Sequence, residues 1–434
     1  MRHCVVRRSK QIGEKTTYGG VIRRHFNVSA AQSATGVLNG TDRRCDRRFI
    51  RRNFNVSAAE SATGVAGRRK MTAMELARRN RAIKGDPENA KRISMVTAYN
   101  YPQALHLDLA GIDICLVGDS LAMVELGHET TQQVTVEEML HHTRAVARGA
   151  QHPLIVGDMP MGSYEVSPEQ ALETAYRFVK EGNADCVKLE GGKERSDVIR
   201  KIVSGGVAVM AHIGLTPQSI SVLGGFRAQG RTAVKARALL DDALSLQDAG
   251  AFAVVIECVP PVVAEVITEA LEIPTIGIGS GPHTSGQVLV FHDMLGMCVH
   301  PHFSTFTPKF CKHYANLGAE ISQGLEQYVV VCRFFVRVTK DILSDLRLES
   351  FNSNAHSTTR RKPKHRFKRE VETGTFPSLE THSPYKMSDK EVALFREMVS
   401  KDSKKLQSKT QSASDRLRDA DEYESVGLYG GKKV

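Results

Sequence analysis

The run Ile114-Cys115-Leu116-Val117-Gly118-Asp119-Ser120 constrains the fold more than any other stretch of this chain. Four apolar residues without alternation suit a strand covered on both faces, and such strands belong to parallel sheets. The abrupt switch to Gly-Asp-Ser places polar atoms at the strand's carboxyl end. The pattern recurs. Leu154-Ile155-Val156-Gly157-Asp158 repeats it, Cys186-Val187-Lys188-Leu189-Glu190 varies it, and the runs 207–212 and 252–257 end in His212 and Glu257. Five strands of this kind bring carboxylates, a lysine and a histidine to one rim.

Helical patterns fall between these strands. Ile93 to Tyr99 reads as a first strand and Pro102 to Ala110 as a helix. Further helices are predicted over 136–150, 168–181, 194–203, 233–249 and 262–271, with a seventh strand over 274–279. The eighth strand has two candidates, 287–291 and 307–311. Alternation of this kind over about 240 residues predicts a (β/α)8 TIM barrel with its functional groups at the carboxyl ends of the strands. A doubly wound open sheet is the alternative.

The formal net charge of +11 suggests a nucleic-acid partner until it is divided along the chain. Residues 1–70 hold 16 Lys or Arg against 4 Asp or Glu, which leaves the remainder nearly neutral. No nucleic-acid partner is therefore expected, and no apolar run reaches membrane-spanning length. The eight cysteines include no C-x-x-C pair and read as apolar fillers in a reducing compartment. Residues 1–90 form a basic extension that contains a tandem repeat, Arg24–Val37 against Arg52–Val65. Rich in Arg, Ser and Ala, it reads as a mitochondrial transit peptide, with a cytoplasmic protein as the alternative. The catalytic barrel is expected over 91–328 and an atypical insertion over 329–367. A C-terminal segment of the catalytic domain follows over 368–387, then a polar tail over 388–434. Both terminal extensions are expected to be disordered.

Asp119 and Asp158 end neighbouring strands in Val-Gly-Asp contexts, where glycine is expected to let the chain turn. Two such carboxylates repel unless a proton or a cation sits between them, and oxygen-only ligands point to Mg²⁺. Glu190 adds a third acid on the next strand. The alternative is that each aspartate caps the helix after it. Lys188 and Glu190 alternate with Val187 and Leu189, so both are expected to point into the barrel mouth. There Lys188 either binds a substrate carboxylate or forms a buried pair with Glu190. His212 either stabilises a developing oxyanion or is a satisfied core histidine. Glu257 follows an apolar run, where it is either suited to proton abstraction or serves as a pocket-lining acceptor. The glycines of 277–281 either cradle a phosphate or serve close packing. Glu138-x-x-His141 and Cys298-x-His300-x-His302 lack the partners that a metal site needs.

Taken together, the ordered motifs are specific. Thr97-Ala98-Tyr99, Val117-Gly118-Asp119-Ser120-Leu121-Ala122-Met123, Gly127-His128-Glu129-Thr130-Thr131 and Val187-Lys188-Leu189-Glu190-Gly191-Gly192 are followed by His212-Ile213-Gly214-Leu215-Thr216-Pro217-Gln218, Gly224 to Arg231, Glu257-Cys258-Val259-Pro260 and Gly277 to Gly281. This set closely resembles the ketopantoate hydroxymethyltransferase family, in order from Arg92 to Tyr328 and again from Lys368 to Lys386.

The resemblance implies a barrel of the phosphoenolpyruvate/pyruvate type. It also implies transfer of a hydroxymethyl group from 5,10-methylenetetrahydrofolate to 3-methyl-2-oxobutanoate, giving 2-dehydropantoate for pantothenate. By resemblance, Asp119 and Asp158 would hold Mg²⁺ with Glu190 at or near it. Asp119, Ser120, Asp158, Lys188 and His212 would meet the keto acid, and Glu257 would accept the proton. A homo-oligomer, a decamer in the family, is implied as well. Asn100, Gln133, Met161 and Ser280 depart from the family pattern, and 329–367 interrupts it. The competing enzyme reading is a related metal-dependent keto-acid lyase that needs no folate.

Overall fold

The computed structural model describes residues 67–298, 308–341 and 366–402. Eight parallel strands close into a barrel in chain order: β1 Ile93–Thr97, β2 Ile114–Val117, β3 Leu154–Asp158, β4 Cys186–Glu190, β5 Val209–Gly214, β6 Ala253–Glu257, β7 Thr275–Ile278 and β8 Gly286–Leu289. The pairing of β1 with β8, Ile93 opposite Gly286, closes the ring and excludes the open sheet. The eighth strand is the earlier of the two candidates.

Helices Val136–Gly149, Pro168–Lys180, Ser196–Ser204, Ala233–Asp248 and Pro261–Ala270 cover the barrel, each within a residue or two of expectation. Their starts are written locally. Thr135 and Glu138 form a capping box, so the Glu138-x-x-His141 acid serves the helix end rather than a metal. Ser167 caps the next helix ahead of Pro168, whose missing N–H costs nothing at that position.

Side-chain parity separates two apolar clusters. Met95, Leu116, Val156, Cys186, Met210, Val255 and Val288 fill the barrel interior. Val187, Leu189, Ala211 and Val254 face the helices. Lys188 and Glu190 share the inward face of Cys186, as expected.

Two expected boundaries need correction. The barrel does not begin at residue 91: helix Ala73–Gly85 places Leu76 and Ile83 among the interior residues at the amino end of the strands, acting as a floor. Lys70 pairs with Asp185 at 2.7 Å, Arg79 with Asp113 at 2.7 Å, and Arg68 with Asp108. Nor is the chain beyond 388 wholly a solvated tail. Helix Asp389–Lys401 packs on Ala233–Asp248, buries Phe395 completely and is tied down by Arg237 to Asp402 at 2.7 Å. In both segments the abundance of charge masked a few deeply buried apolar side chains.

Within the expected insertion, residues 329–341 continue helix Leu317–Asp341. The segment after it rejoins the barrel through buried Val371 and Phe376, with Glu370 bound by Lys312 at 2.7 Å and Tyr314 at 2.8 Å. The tandem repeat and the expected transit peptide lie outside the described residues. So do His300 and His302. No helix among the described residues is long and apolar enough to cross a membrane.

Candidate active site

Strand register places the polar rim residues side by side. Asp158 on β3 is opposite Lys188 on β4, Glu190 is opposite His212 on β5, and Gly214 is opposite Glu257 on β6. Asp119 is the second residue after β2, and its backbone N–H donates to Asp158 Oδ2 at 3.2 Å. The six sequence-derived groups Asp119, Asp158, Lys188, Glu190, His212 and Glu257 thus meet at one end of the barrel. Ser120, half-buried beside them, shares a hydrogen bond with Tyr99 Oη at 2.8 Å.

The aspartates are not helix caps. The short helix Leu121–Val124 starts at Ser120 without a side-chain cap bond, and Asp158 is engaged by Lys188 Nζ at 2.8 and 2.7 Å through its two oxygens. The glycine before Asp158 has a different use from the one expected. Gly157 lies within β3, where a Cβ would sit 2.4 Å from the Phe178 ring, so it admits a helix side chain rather than a turn.

Lys188 Nζ is also 3.7 Å from Glu190 Oε1. His212 stands between two acids, Nδ1 at 3.3 Å from Glu190 Oε1 and Nε2 at 3.2 Å from Glu257 Oε2. Both His212 contacts are at ion-pair distance but outside hydrogen-bond geometry, so charge rather than directed bonding holds them. Of the two, Glu257 faces the open mouth: its side chain is 16% exposed against 3% for His212.

These groups set one another's protonation. Burial, then the charges of Asp158 and Glu190, hold the Asp119 carboxyl well above the usual carboxylate range. Burial opposes the charged form of Lys188, but Asp158, Glu190 and Asp119 outweigh it and push the ammonium up. Burial also pushes Glu190 upward; His212, Lys188 and the Gln218 backbone overcome that and leave it below its ordinary value. For His212, burial and Lys188 favour the neutral ring, yet the adjoining glutamates win and raise it to about 9.

Gln218, in the turn Pro217–Ser219 after β5, donates from Nε2 to Asp119 Oδ2 at 3.0 Å. Beside it opens a cavity of about 280 Å³ lined by Glu190, Tyr164, Gln218, Arg195, Met161 and Asp242, among others.

The ketopantoate hydroxymethyltransferase family model matches residues 79–333, which takes in the second half of the floor helix, all eight strands and every one of these groups. The chain belongs to that family. It is 56% identical over 260 residues to the Arabidopsis thaliana 3-methyl-2-oxobutanoate hydroxymethyltransferase 1, mitochondrial, covering 60% of this chain and 73% of the relative. A rice enzyme of the same name is 47% identical over 320 residues, 74% of this chain and 77% of its own. The Carboxydothermus hydrogenoformans 3-methyl-2-oxobutanoate hydroxymethyltransferase is 52% identical over 248 residues, 57% of this chain and 88% of its own. Among solved structures, a Streptomyces platensis phosphoenolpyruvate phosphomutase is similar at 16% identity and a TM-score of 0.38, covering 62% of this chain and 92% of that one, a likeness that carries no argument about the site.

As a ketopantoate hydroxymethyltransferase family member, the chain is an enzyme, and its rim holds polar residues that sequence reading did not single out. Tyr164 carries no local signal. Gln218 sits inside the His212–Gln218 motif and is the buried residue of the turn Pro217–Ser219, which nothing in its local sequence marks. Gly277 and Gly279, read as a phosphate cradle or close packing, abut Thr284 and Phe310, which favours close packing.

Proposed function

We propose that this chain transfers a hydroxymethyl group from 5,10-methylenetetrahydrofolate to 3-methyl-2-oxobutanoate, forming 2-dehydropantoate with the help of Mg²⁺. One observation carries the reading: four carboxyl groups, Asp119, Asp158, Glu190 and Glu257, crowd two cationic groups, Lys188 and His212, at one barrel end. This excess of acids over cations suits a divalent cation. Among the described residues no three His, Cys, Asp or Glu converge as a complete ligand set. Two carboxylates with open positions are what Mg²⁺ accepts when water or substrate oxygens fill the rest.

Asp119 and Asp158 would hold the ion. Glu190 stands beside it, because its oxygens already face Gln218 N–H, His212 and Lys188. Bound there, Mg²⁺ supplies Lewis acidity that draws charge from a keto-acid carbonyl and acidifies the adjoining C–H. Glu257, open to the mouth, accepts the C3 proton of 3-methyl-2-oxobutanoate. His212, held as imidazolium, and Lys188 donate to the oxygen where negative charge develops. Ser120 and Lys188 orient the carboxylate end of the substrate.

Purified protein with Mg²⁺ and 3-methyl-2-oxobutanoate should form 2-dehydropantoate only when methylenetetrahydrofolate is added. Product without folate would move the assignment to a keto-acid lyase. We also place the protein in mitochondria, on its basic N-terminal segment and the mitochondrial names of its plant relatives. A fluorescent fusion of residues 1–90 that stays diffuse in the cytosol would reject this. The homodecamer implied by resemblance is read by analytical ultracentrifugation, where a monomer would reject it.

A further inference from the structure

A chain of hydrogen bonds crosses the barrel mouth from Glu190 to Asp119. The Glu190 backbone N–H donates to Tyr164 Oη at 3.3 Å, and the Tyr164 hydroxyl donates to Gln218 Oε1 at 2.6 Å. Gln218 Nε2 donates to Asp119 Oδ2 and to the Met159 carbonyl, both at 3.0 Å. The backbone N–H of Gln218 meanwhile reaches Glu190 Oε2 at 3.0 Å. Loops after β2, β3 and β5 are thereby tied to β4.

Chemistry fixes the direction of this chain. Both neighbours of Nε2 are acceptors, so the amide nitrogen must face them and Oε1 must face Tyr164. Tyr164 and Gln218 are both buried, so losing either partner leaves a polar atom poorly satisfied. Without the tyrosine hydroxyl, Oε1 would be left as a buried acceptor with no donor, which weakens the hold on the amide that faces Asp119. With the hydroxyl in place, Asp119 Oδ2 is anchored and the carboxylate plane is set. Among the described residues Oδ1 takes no hydrogen bond and remains available.

We infer that Gln218, oriented by Tyr164, is a positioning residue that fixes the Asp119 carboxylate and thereby sets how tightly the site takes a divalent cation. This rests on the reading of Asp119 as a cation ligand, and the test separates the two.

Mn²⁺ serves as the probe, because its free ion is counted directly by electron paramagnetic resonance. The full chain is compared with Asp119→Ala, Tyr164→Phe and Gln218→Met, the last of which keeps the side-chain volume. Asp119→Ala should abolish the site. Gln218→Met should weaken Mn²⁺ binding by about 10- to 100-fold, the range for groups that orient metal ligands. Tyr164→Phe should weaken it by about 2- to 10-fold, the worth of one hydrogen bond. The Mg²⁺ concentration for half-maximal activity should rise by the same factors, with kcat at saturating Mg²⁺ less affected.

If Asp119→Ala loses Mn²⁺ while Tyr164→Phe and Gln218→Met bind it as the parent does, the positioning role is overturned and the cation site stands. If Asp119→Ala binds as the parent does, the cation reading falls and takes this inference with it. Should Gln218→Met fail to fold, Tyr164→Phe decides alone.

Discussion

His212 Nε2 lies 3.2 Å from Glu257 Oε2. A cationic ring is thus held against the carboxylate to which proton abstraction is assigned, while Glu190 grips the ring's other nitrogen at 3.3 Å. Glu190 supplies the second negative charge that keeps the buried imidazole protonated. One ring therefore faces the base and offers a donor to charge that develops on a bound carbonyl.

The pH dependence of folding follows from that ring. Its folded-state value near 9 lies above that of an exposed histidine, so the imidazolium stabilises the fold fully below about pH 6.5 and loses that contribution as pH rises through 9. The effect is on the order of 3 kcal/mol at most. Urea denaturation with chelator present, across this range, should show stability of the parent falling while His212→Gln stays flatter. Parallel curves would remove the charged histidine from the account.

Lys188 is the cation that Asp158 holds in this arrangement. Replacing it with methionine leaves a buried, uncompensated carboxylate and should cost about 3–5 kcal/mol. Mg²⁺ should return part of that loss, because an ion at Asp119 and Asp158 replaces the missing positive charge. Thermal melts of Lys188→Met with and without Mg²⁺ read this directly. A stabilisation no larger than the parent's would speak against an ion at these carboxylates.

Gly214 ends β5 at a φ of +94°, and a Cβ there would meet the Glu257 carbonyl oxygen at 2.2 Å. Gly214→Ala therefore has no room unless β5 and β6 part. It should cost at least about 1–3 kcal/mol and displace Glu257, so kcat should fall more steeply than substrate affinity. Denaturation and steady-state kinetics on the same variant test this; normal kcat would show that Glu257 tolerates the shift.

How far the site could be read from the chain depended on the range of the contacts. Asp119, Asp158, Lys188, Glu190, His212 and Glu257 were legible because covered parallel strands read as apolar runs whose parity and ends are local properties. Gly157 was legible as a glycine but not for its reason, since Phe178 approaches from a helix that local pattern does not place. The Tyr164–Gln218 bond joins loops 54 residues apart, and neither side chain stands out in its own segment. The floor helix Ala73–Gly85 was hidden by its three arginines and by Glu75 and Lys84 near its ends, while Leu76 and Ile83 carry its packing.

The C-terminal helix gives the clearest test of where the folded unit ends. Phe395 has no exposed surface, and Glu391 on the same helix accepts the Ala233 backbone N–H at 2.6 Å, at the start of the helix it packs on. A solvated tail would tolerate Phe395→Ala within about 0.5 kcal/mol, whereas removing a fully buried ring costs about 3–5 kcal/mol. Urea denaturation should show the larger loss. Activity well below the melting temperature should survive, because the helix packs on the outer helix Ala233–Asp248. A loss under about 0.5 kcal/mol would return residues 389–401 to the solvated tail expected from composition.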